Sequence, residues 1–385
     1  MDRPEIILAP GPTPVPPQVF LAQGSPLVYH RGPGYGSLLR SVTEDLKRLF
    51  QTENDVVLFA SSGTGGLESA VANLFSPGDR VVVPVAGYFG ERFAKIAKAY
   101  RLDLRRIDYE WGRAVDPSDV EAALAEAPTK GVLVQHSETS TGVIHDVEAV
   151  ARAAREAGAL VAVDAVSSLG AVPFDCDGWG IDVAISGSQK ALSATPGLAF
   201  VAISEAAWKA NETAQSPRFY FDYALYKEAY ERKNPENPFT PAISIVQGLR
   251  AALDLFFQDG VEGALRRHQL LSRGVKSGVQ ALGLDLFGEH PESGWAVTAI
   301  RAPEGIDGNE LVAKCRRDHG VILAPGQGPL KGKVFRIGHL GYYSQLDILA
   351  GLAAVEMTLE SMGYPVKRGA AVAAAQEAFA AAGGQ

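Results

Sequence analysis

The chain has 385 residues and only two cysteines, Cys176 and Cys315. They lie far apart, and neither sits in a Cys-x-x-Cys or Cys/His pattern. That excludes a disulfide framework and gives no metal-ligand spacing. So little cysteine fits a reducing, cytoplasmic setting. Basic runs are missing as well: Lys and Arg total 36 against 44 Asp and Glu, a formal net charge of -8. An acidic chain without a basic stripe is a poor match for nucleic acid or an anionic membrane surface. No apolar run reaches bilayer length. The opening "MDRPEIILAPGPTP" is charged early and lacks the apolar core of a secretory signal. A soluble protein is expected.

What is present is ample core material, with 46% hydrophobic residues. That length and composition predict two domains, or one large domain with a smaller partner. Residues 1–20 read as an extended N-terminal segment, rich in proline. Residues 21–260 form the large unit, 261–368 a smaller C-terminal unit, and 369–385 an Ala-rich tail that reads as a frayed helix. In the large unit short Val-rich strands ("DVVLFAS", "RVVVPV", "GVLVQHS", "ALVAVDA") alternate with helices. In "SLLRSVTEDLKRLF" the residues Leu38, Leu39, Val42, Leu46, Leu49 and Phe50 share one helical face. Asp116 followed by Pro117 marks a helix start. Strands apolar on both faces, alternating with helices, predict an α/β fold around a mostly parallel sheet. Beyond about Ala242 long helices and scattered strands predict an α+β unit.

Five features stand where chemistry is expected. "SSGTGGLE", Ser61–Glu68, joins a strand to a helix. Glycines there free backbone amides for a phosphate, or simply make a tight turn. It is neither a dinucleotide fingerprint, since Glu68 replaces the third glycine, nor a P-loop. Asp164 ends the strand "ALVAVDA", either capping the next turn or facing a ligand at the carboxyl edge of the sheet. Lys190 follows "ISGSQ" at the exit of another core strand. It is either a solvated loop residue or an amine with a lowered pKa that bonds a carbonyl. Phe89, in "AGYFGERF", packs in the core or stacks on a flat ligand. Arg336 lies inside the apolar strand "KVFRIGHLG" and needs an anionic partner, internal or substrate. One cofactor calls for the first four together. Pyridoxal phosphate needs a lysine for its aldehyde, an acid for its ring nitrogen, an amide cradle for its phosphate and a flat wall for its ring.

The motifs "SSGTGGLE", "GYFGERF", "HSETSTGV", "VDAVSSLGA", "SGSQKAL" and "FTPAIS", in that order, resemble the class V aminotransferases, fold type I pyridoxal-phosphate enzymes. Within them the likeness is to the alanine–glyoxylate and serine–glyoxylate (serine–pyruvate) group. It runs from "GPTPVP" past "FRIGHLG". The chain is also similar to proteins called the small subunit of a soluble hydrogenase, although two cysteines cannot hold an iron–sulfur cluster. The resemblance implies a seven-stranded, mostly parallel sheet flanked by helices, plus a smaller α+β domain, in a homodimer with shared sites. It implies that Lys190 bonds the cofactor aldehyde and Asp164 keeps the ring nitrogen protonated. Phe89 would stack on the ring, and Thr139 would hydrogen-bond near its phenolic oxygen. Ser62, Gly63, Thr64 and Gln189 would hold the phosphate, with Thr240 reaching the phosphate of the neighbouring subunit. Arg336, helped by backbone near Gly11, would bind the substrate carboxylate.

There are departures. The "HRSPEF" of many members reads "HRGPGY" here, His30–Tyr35, without the glutamate. Thr64 stands where some members have His, and Phe89 where many have Trp. The implied reaction moves the amino group of alanine or serine to glyoxylate or pyruvate in a ping-pong order. No second cation is clearly placed for a donor side-chain carboxylate, although Arg31 in the altered loop could serve. Aspartate and phosphonate transaminases, cysteine desulfurases and a scaffold subunit without turnover are the alternatives.

Overall fold

The computed structural model describes residues 5–383. Seven strands form the main sheet: β1 (Asp55–Ala60), β2 (Arg80–Val85), β3 (Asp103–Asp108), β4 (Gly131–Gln135), β5 (Leu160–Asp164), β6 (Val183–Gly187) and β7 (Leu198–Ile203). Their spatial order is β1-β7-β6-β5-β4-β2-β3. Only β7 runs against the others. The remaining pairs are parallel, with Gln135 beside Asp164 and Asp164 beside Ile185 in register. The α/β expectation and the seven-stranded, mostly parallel sheet are both met.

Alternation along each strand decides which core a side chain enters. Val56 and Leu58 face one side, Val57 and Phe59 the other; Val161 and Val163 oppose Ala162. Helices Pro33–Phe50, Pro117–Glu126 and Val147–Glu156 cover one face, and Gly63–Leu74 and Tyr88–Ala99 the other. Burial on both faces is what lets near-continuous apolar strands persist. Leu39, Val42, Leu46, Leu49 and Phe50 are buried as the helical spacing predicts, with Leu38 half-buried. Asp116 caps its helix by accepting from the Ser118 amide at 2.9 Å.

A smaller antiparallel sheet holds β8 (Val297–Arg301), β9 (Ala324–Pro325) and β10 (Val334–Gly338), with β10 in the middle. The segment Ile243–Ala281 holds two helices, as its two long apolar-periodic stretches predict, divided at Gly260, whose φ of 69° and ψ of 175° break the helical geometry. Its first part packs on the main-sheet core through Leu249 and Leu253, its second on the small-sheet core through Leu271 and Val275. Among the described residues the tail is packed rather than frayed. Helix Ala370–Gly383 buries Ala371, Ala375 and Phe379, and Phe379 occupies the space a Cβ at Gly274 would need. The N-terminal segment is extended only to Pro16, where helix Pro17–Gln23 begins. Ile6 and Ile7 pair with Val321 and Ile322, and the Gly338 amide donates to Leu8 O at 2.6 Å. These contacts lay the residues after Leu8 along the end of β10. Among the described residues no helix is long and apolar enough to cross a membrane.

Candidate active site

The parallel strands all end on one edge of the sheet, and every sequence candidate but Thr240 gathers along that edge. β1 leads into Ser61–Thr64, β2 into Gly87–Phe89, β4 into His136–Thr139, β5 ends on Asp164, and β6 delivers Gln189 and Lys190. Side chains at the carboxyl edge of a parallel sheet converge because the strands share direction. β10 contributes Arg336 from the smaller sheet, and the N-terminal segment contributes Gly11.

Lys190 Nζ donates to Pro10 O at 2.6 Å. Burial pushes its amine down to about 8, helped by the Arg336 cation and opposed by the Asp164 carboxylate. A solvated surface lysine would show neither effect. Asp164 is buried, and its Oδ1 accepts from the Val166 amide at 2.9 Å. Burial pushes its carboxyl up to about 6, while the Val166 amide holds it down. A cation brought against it would lower it again, because opposite charge favours the ionised form.

Arg336 is 5% exposed and has no carboxylate within ion-pair distance among the described residues. Its Nε and Nη2 donate to Pro325 O at 3.2 and 2.9 Å, and its Nη1 to Thr139 O at 2.9 Å. Neutral carbonyls hold the guanidinium in place without cancelling its charge. Burial lowers it to about 10, and the nearby Glu138 partly restores it. The internal ion pair that the sequence left open is therefore absent from the described residues.

Helix Gly63–Leu74 begins at Ser62, which is exposed and spends no side-chain bond on its own helix. Its first amides have no intrahelical acceptor. Three glycines make the turn possible. A Cβ at Gly63 would lie 2.6 Å from Val166 Cγ2, one at Gly65 would overlap Ser61 Oγ, and one at Gly66 would lie 2.6 Å from Ile185 Cγ2. Gln189 sits beside this turn across Gly187, and its buried Oε1 has no partner among the described residues. Thr64 Oγ1 accepts from Arg92 Nη1 at 2.9 Å. Phe89 is half-buried at the start of helix Tyr88–Ala99. Thr139 Oγ1 donates to Ser167 Oγ at 2.7 Å, tying the β4 loop to the turn after Asp164. Gly11 has φ 128°, and a Cβ there would come within 2.6 Å of Lys190 Nζ. Thr240 is exposed and lies outside the cluster in the single chain.

Two charged residues join the site that the sequence reading did not single out. Glu138 is fully buried. Its Oε2 accepts from the amides of Phe89 (3.0 Å) and Gly90 (3.2 Å), and its Oε1 from the Ser140 amide (3.1 Å) and hydroxyl (2.5 Å). Ser140 Oγ accepts from the Tyr88 amide at 3.0 Å. Helix Tyr88–Ala99 starts at a glycine, which has no capping side chain, so its cap comes from another strand. Arg92 lies 4.7 Å from the Phe89 ring centroid. Both residues stand inside quoted motifs, "HSETSTGV" and "GYFGERF". Nothing in their spacing along the chain brings them together.

A buried amine, a buried carboxylate, an aromatic wall and an amide-lined turn at one sheet edge fit a phosphorylated aldehyde cofactor. Fold and site together define a pyridoxal-phosphate enzyme of fold type I. The sequence model for "Aminotransferase class-V" matches residues 20–331, and the chain belongs to that family. It is 41% identical to "Soluble hydrogenase, small subunit" of Synechococcus sp. strain PCC 6716, over 99% of this chain and 100% of that one. It is 39% identical to L-aspartate–glyoxylate aminotransferase of Paracoccus denitrificans (97% and 96% covered). Against serine–glyoxylate aminotransferase of Arabidopsis thaliana it is 37% identical (96% and 94%). The crystal structure of ureidoglycine–glyoxylate aminotransferase from Bacillus subtilis superposes with a TM-score of 0.95 at 31% identity, covering 99% of both chains.

Proposed function

We propose that this aminotransferase takes the amino group of a small amino acid, alanine or serine, and passes it to glyoxylate or pyruvate. The observation that carries this reading is Arg336. It is buried, held by carbonyls and free of any acid among the described residues, so it suits one substrate carboxylate. Arg31, the other cation considered for a second carboxylate, is engaged. Its Nη1 pairs with Glu236 at 2.7 Å, on the "HRGPGY" loop. That favours a donor without a charged side chain over aspartate, the donor named for the Paracoccus relative.

Pyridoxal phosphate, when bound, supplies the aldehyde that takes up the amino group and the ring that accepts the electron pair. Lys190 Nζ holds the aldehyde between turnovers. Its amine would be the base that moves the proton from the substrate α carbon, and an amine near 8 is well poised for that at neutral pH. Asp164 holds a proton on the ring nitrogen. Phe89 walls one face of the ring, and Thr139 bonds near the phenolic oxygen. Ser62, Gly63, Thr64 and Gln189 hold the phosphate. Gly11 backs Lys190 and lends backbone to the substrate carboxylate. Thr240, exposed on one chain, reaches the phosphate of a partner chain in a homodimer working in the cytoplasm. Gly260 marks the boundary between the large and small units.

A cysteine desulfurase is disfavoured. Cys176 and Cys315 are both buried, and burial raises both thiols, Cys315 to about 11. A reactive thiol needs the opposite.

The test is the visible spectrum of the purified protein as amino acids are added singly. Alanine or serine should bleach the cofactor band, aspartate should not, and glyoxylate should restore it. Bleaching by aspartate alone would overturn the donor assignment. A protein that cannot be reconstituted with cofactor would overturn the roles of Lys190 and Asp164.

A further inference from the structure

The residues proposed to cradle the phosphate, Ser62, Gly63, Thr64 and Gln189, carry no charge. A phosphate monoester brings roughly -1.5 to -2 at pH 7. A helix N-terminus offsets only about half a unit of charge. A cation is missing from that end, and two of the cations nearby are committed. Lys190 is assigned to the aldehyde, and Arg336, oriented by the carbonyls of Thr139 and Pro325, to the substrate carboxylate.

Arg92 is different. Its hydrogen bond runs from Nη1 to Thr64 Oγ1, on the turn itself. The guanidinium carbon lies 4.7 Å from the Phe89 ring centroid and 5.5 Å from that of Tyr88. Among the described residues no carboxylate comes within ion-pair distance of it. Its own neighbour Glu91 pairs elsewhere, with Arg106 at 2.7 Å and Lys95 at 3.7 Å. The chain thus leaves one arginine without an acid where a dianion is expected. The helix that carries it is fixed by Glu138 and Ser140.

We infer that Arg92 is the cation that neutralises the cofactor's phosphate, across Thr64 and against the Phe89 ring. This rests on reading Ser62–Thr64 as the phosphate cradle. The field of Arg92 also reaches Asp164 and Lys190, where it favours the ionised carboxylate and the neutral amine. With Arg92 assigned to phosphate, no free second cation is left for a donor side chain, in keeping with alanine or serine.

The experiment separates phosphate from ring by ligand chemistry. Apoprotein is titrated with pyridoxal phosphate and with pyridoxal, which lacks the phosphate, and binding is read by absorbance. Arg92→Gln should weaken pyridoxal phosphate by about tenfold or more and pyridoxal by less than about twofold, the scale of one lost charge-assisted contact. Equal losses for both ligands would make Arg92 a support for Phe89 and overturn the inference. A wild-type protein that binds both ligands equally would sink the cradle itself. A second measurement needs no variant. In wild-type apoprotein, inorganic phosphate should slow modification of Arg92 by phenylglyoxal, read by peptide mass spectrometry. If phosphate gives no protection, the inference fails.

Discussion

Lys190 Nζ donates to Pro10 O across 180 residues of sequence, at 2.6 Å. The amine thus leans on a backbone segment that the first strand pairing delivers. Gly11 leaves just enough room for it.

Gly11→Ala follows from that contact. The added Cβ would sit 2.6 Å from Nζ and 2.8 Å from Cδ, at a φ of 128° that side chains rarely adopt. The lysine must move by a sizeable fraction of an ångström, and misplacement on that scale costs up to about a hundredfold in rate. We expect kcat to fall at least about tenfold, with strain of roughly 1–3 kcal/mol in the fold. Steady-state kinetics beside urea unfolding would check this, and unchanged kcat would detach Gly11 from Lys190.

The Lys190 amine sets a pH dependence. Its pKa falls from an ordinary 10.5 to about 8, first through burial and then through Arg336. The neutral amine therefore gains population as pH rises through about 8. Borohydride trapping of pyridoxal on Lys190 in apoprotein should climb through that range and level off above it. Arg336→Gln removes a cation and should raise the midpoint, while Asp164→Asn removes an anion and should lower it. The stability sign follows: the buried charge destabilises the fold fully below about 8, and that cost is relieved as pH rises toward 10.5. A midpoint near 10.5 would return Lys190 to the solvated class.

Glu138→Gln probes the borrowed helix cap. Both carboxylate oxygens accept from two donors each, so a glutamine must turn its NH2 toward at least one backbone amide that only donates, Phe89 and Gly90 on one side or Ser140 on the other. Leaving buried donors unpaired costs about 1–3 kcal/mol each. We expect a loss of that order in urea unfolding, together with weaker binding of both pyridoxal phosphate and pyridoxal, because Phe89 loosens. Loss of stability with unchanged affinity for both ligands would separate Glu138 from the Phe89 wall.

Much of the fold was legible because its signals are local. Val-rich strands at regular intervals, Asp116 before Pro117 and the spacing from Leu38 to Phe50 each act over a few residues. That Asp164, Lys190 and the glycine turn share one edge of the sheet was legible for a related reason. Each directly follows or ends a strand, and parallel strands place such residues on one edge. The tail from Ala370 onward reads as frayed in the sequence because the surface that receives its Phe379, at Gly274, belongs to another helix. Glu138 and Arg92 were passed over because an acid or an arginine beside polar residues looks solvated until its surroundings are known.

The sequence by itself determined the class of chemistry: an amine, an acid, an aromatic ring and a glycine turn in family order. Only the tertiary structure decided how those groups are charged and held. Burial lowers the amine and raises the acid, carbonyls hold Arg336 without neutralising it, and a carboxylate on one strand caps the helix from another. These are effects of distance and desolvation between residues far apart in the chain, which spacing along a sequence does not encode.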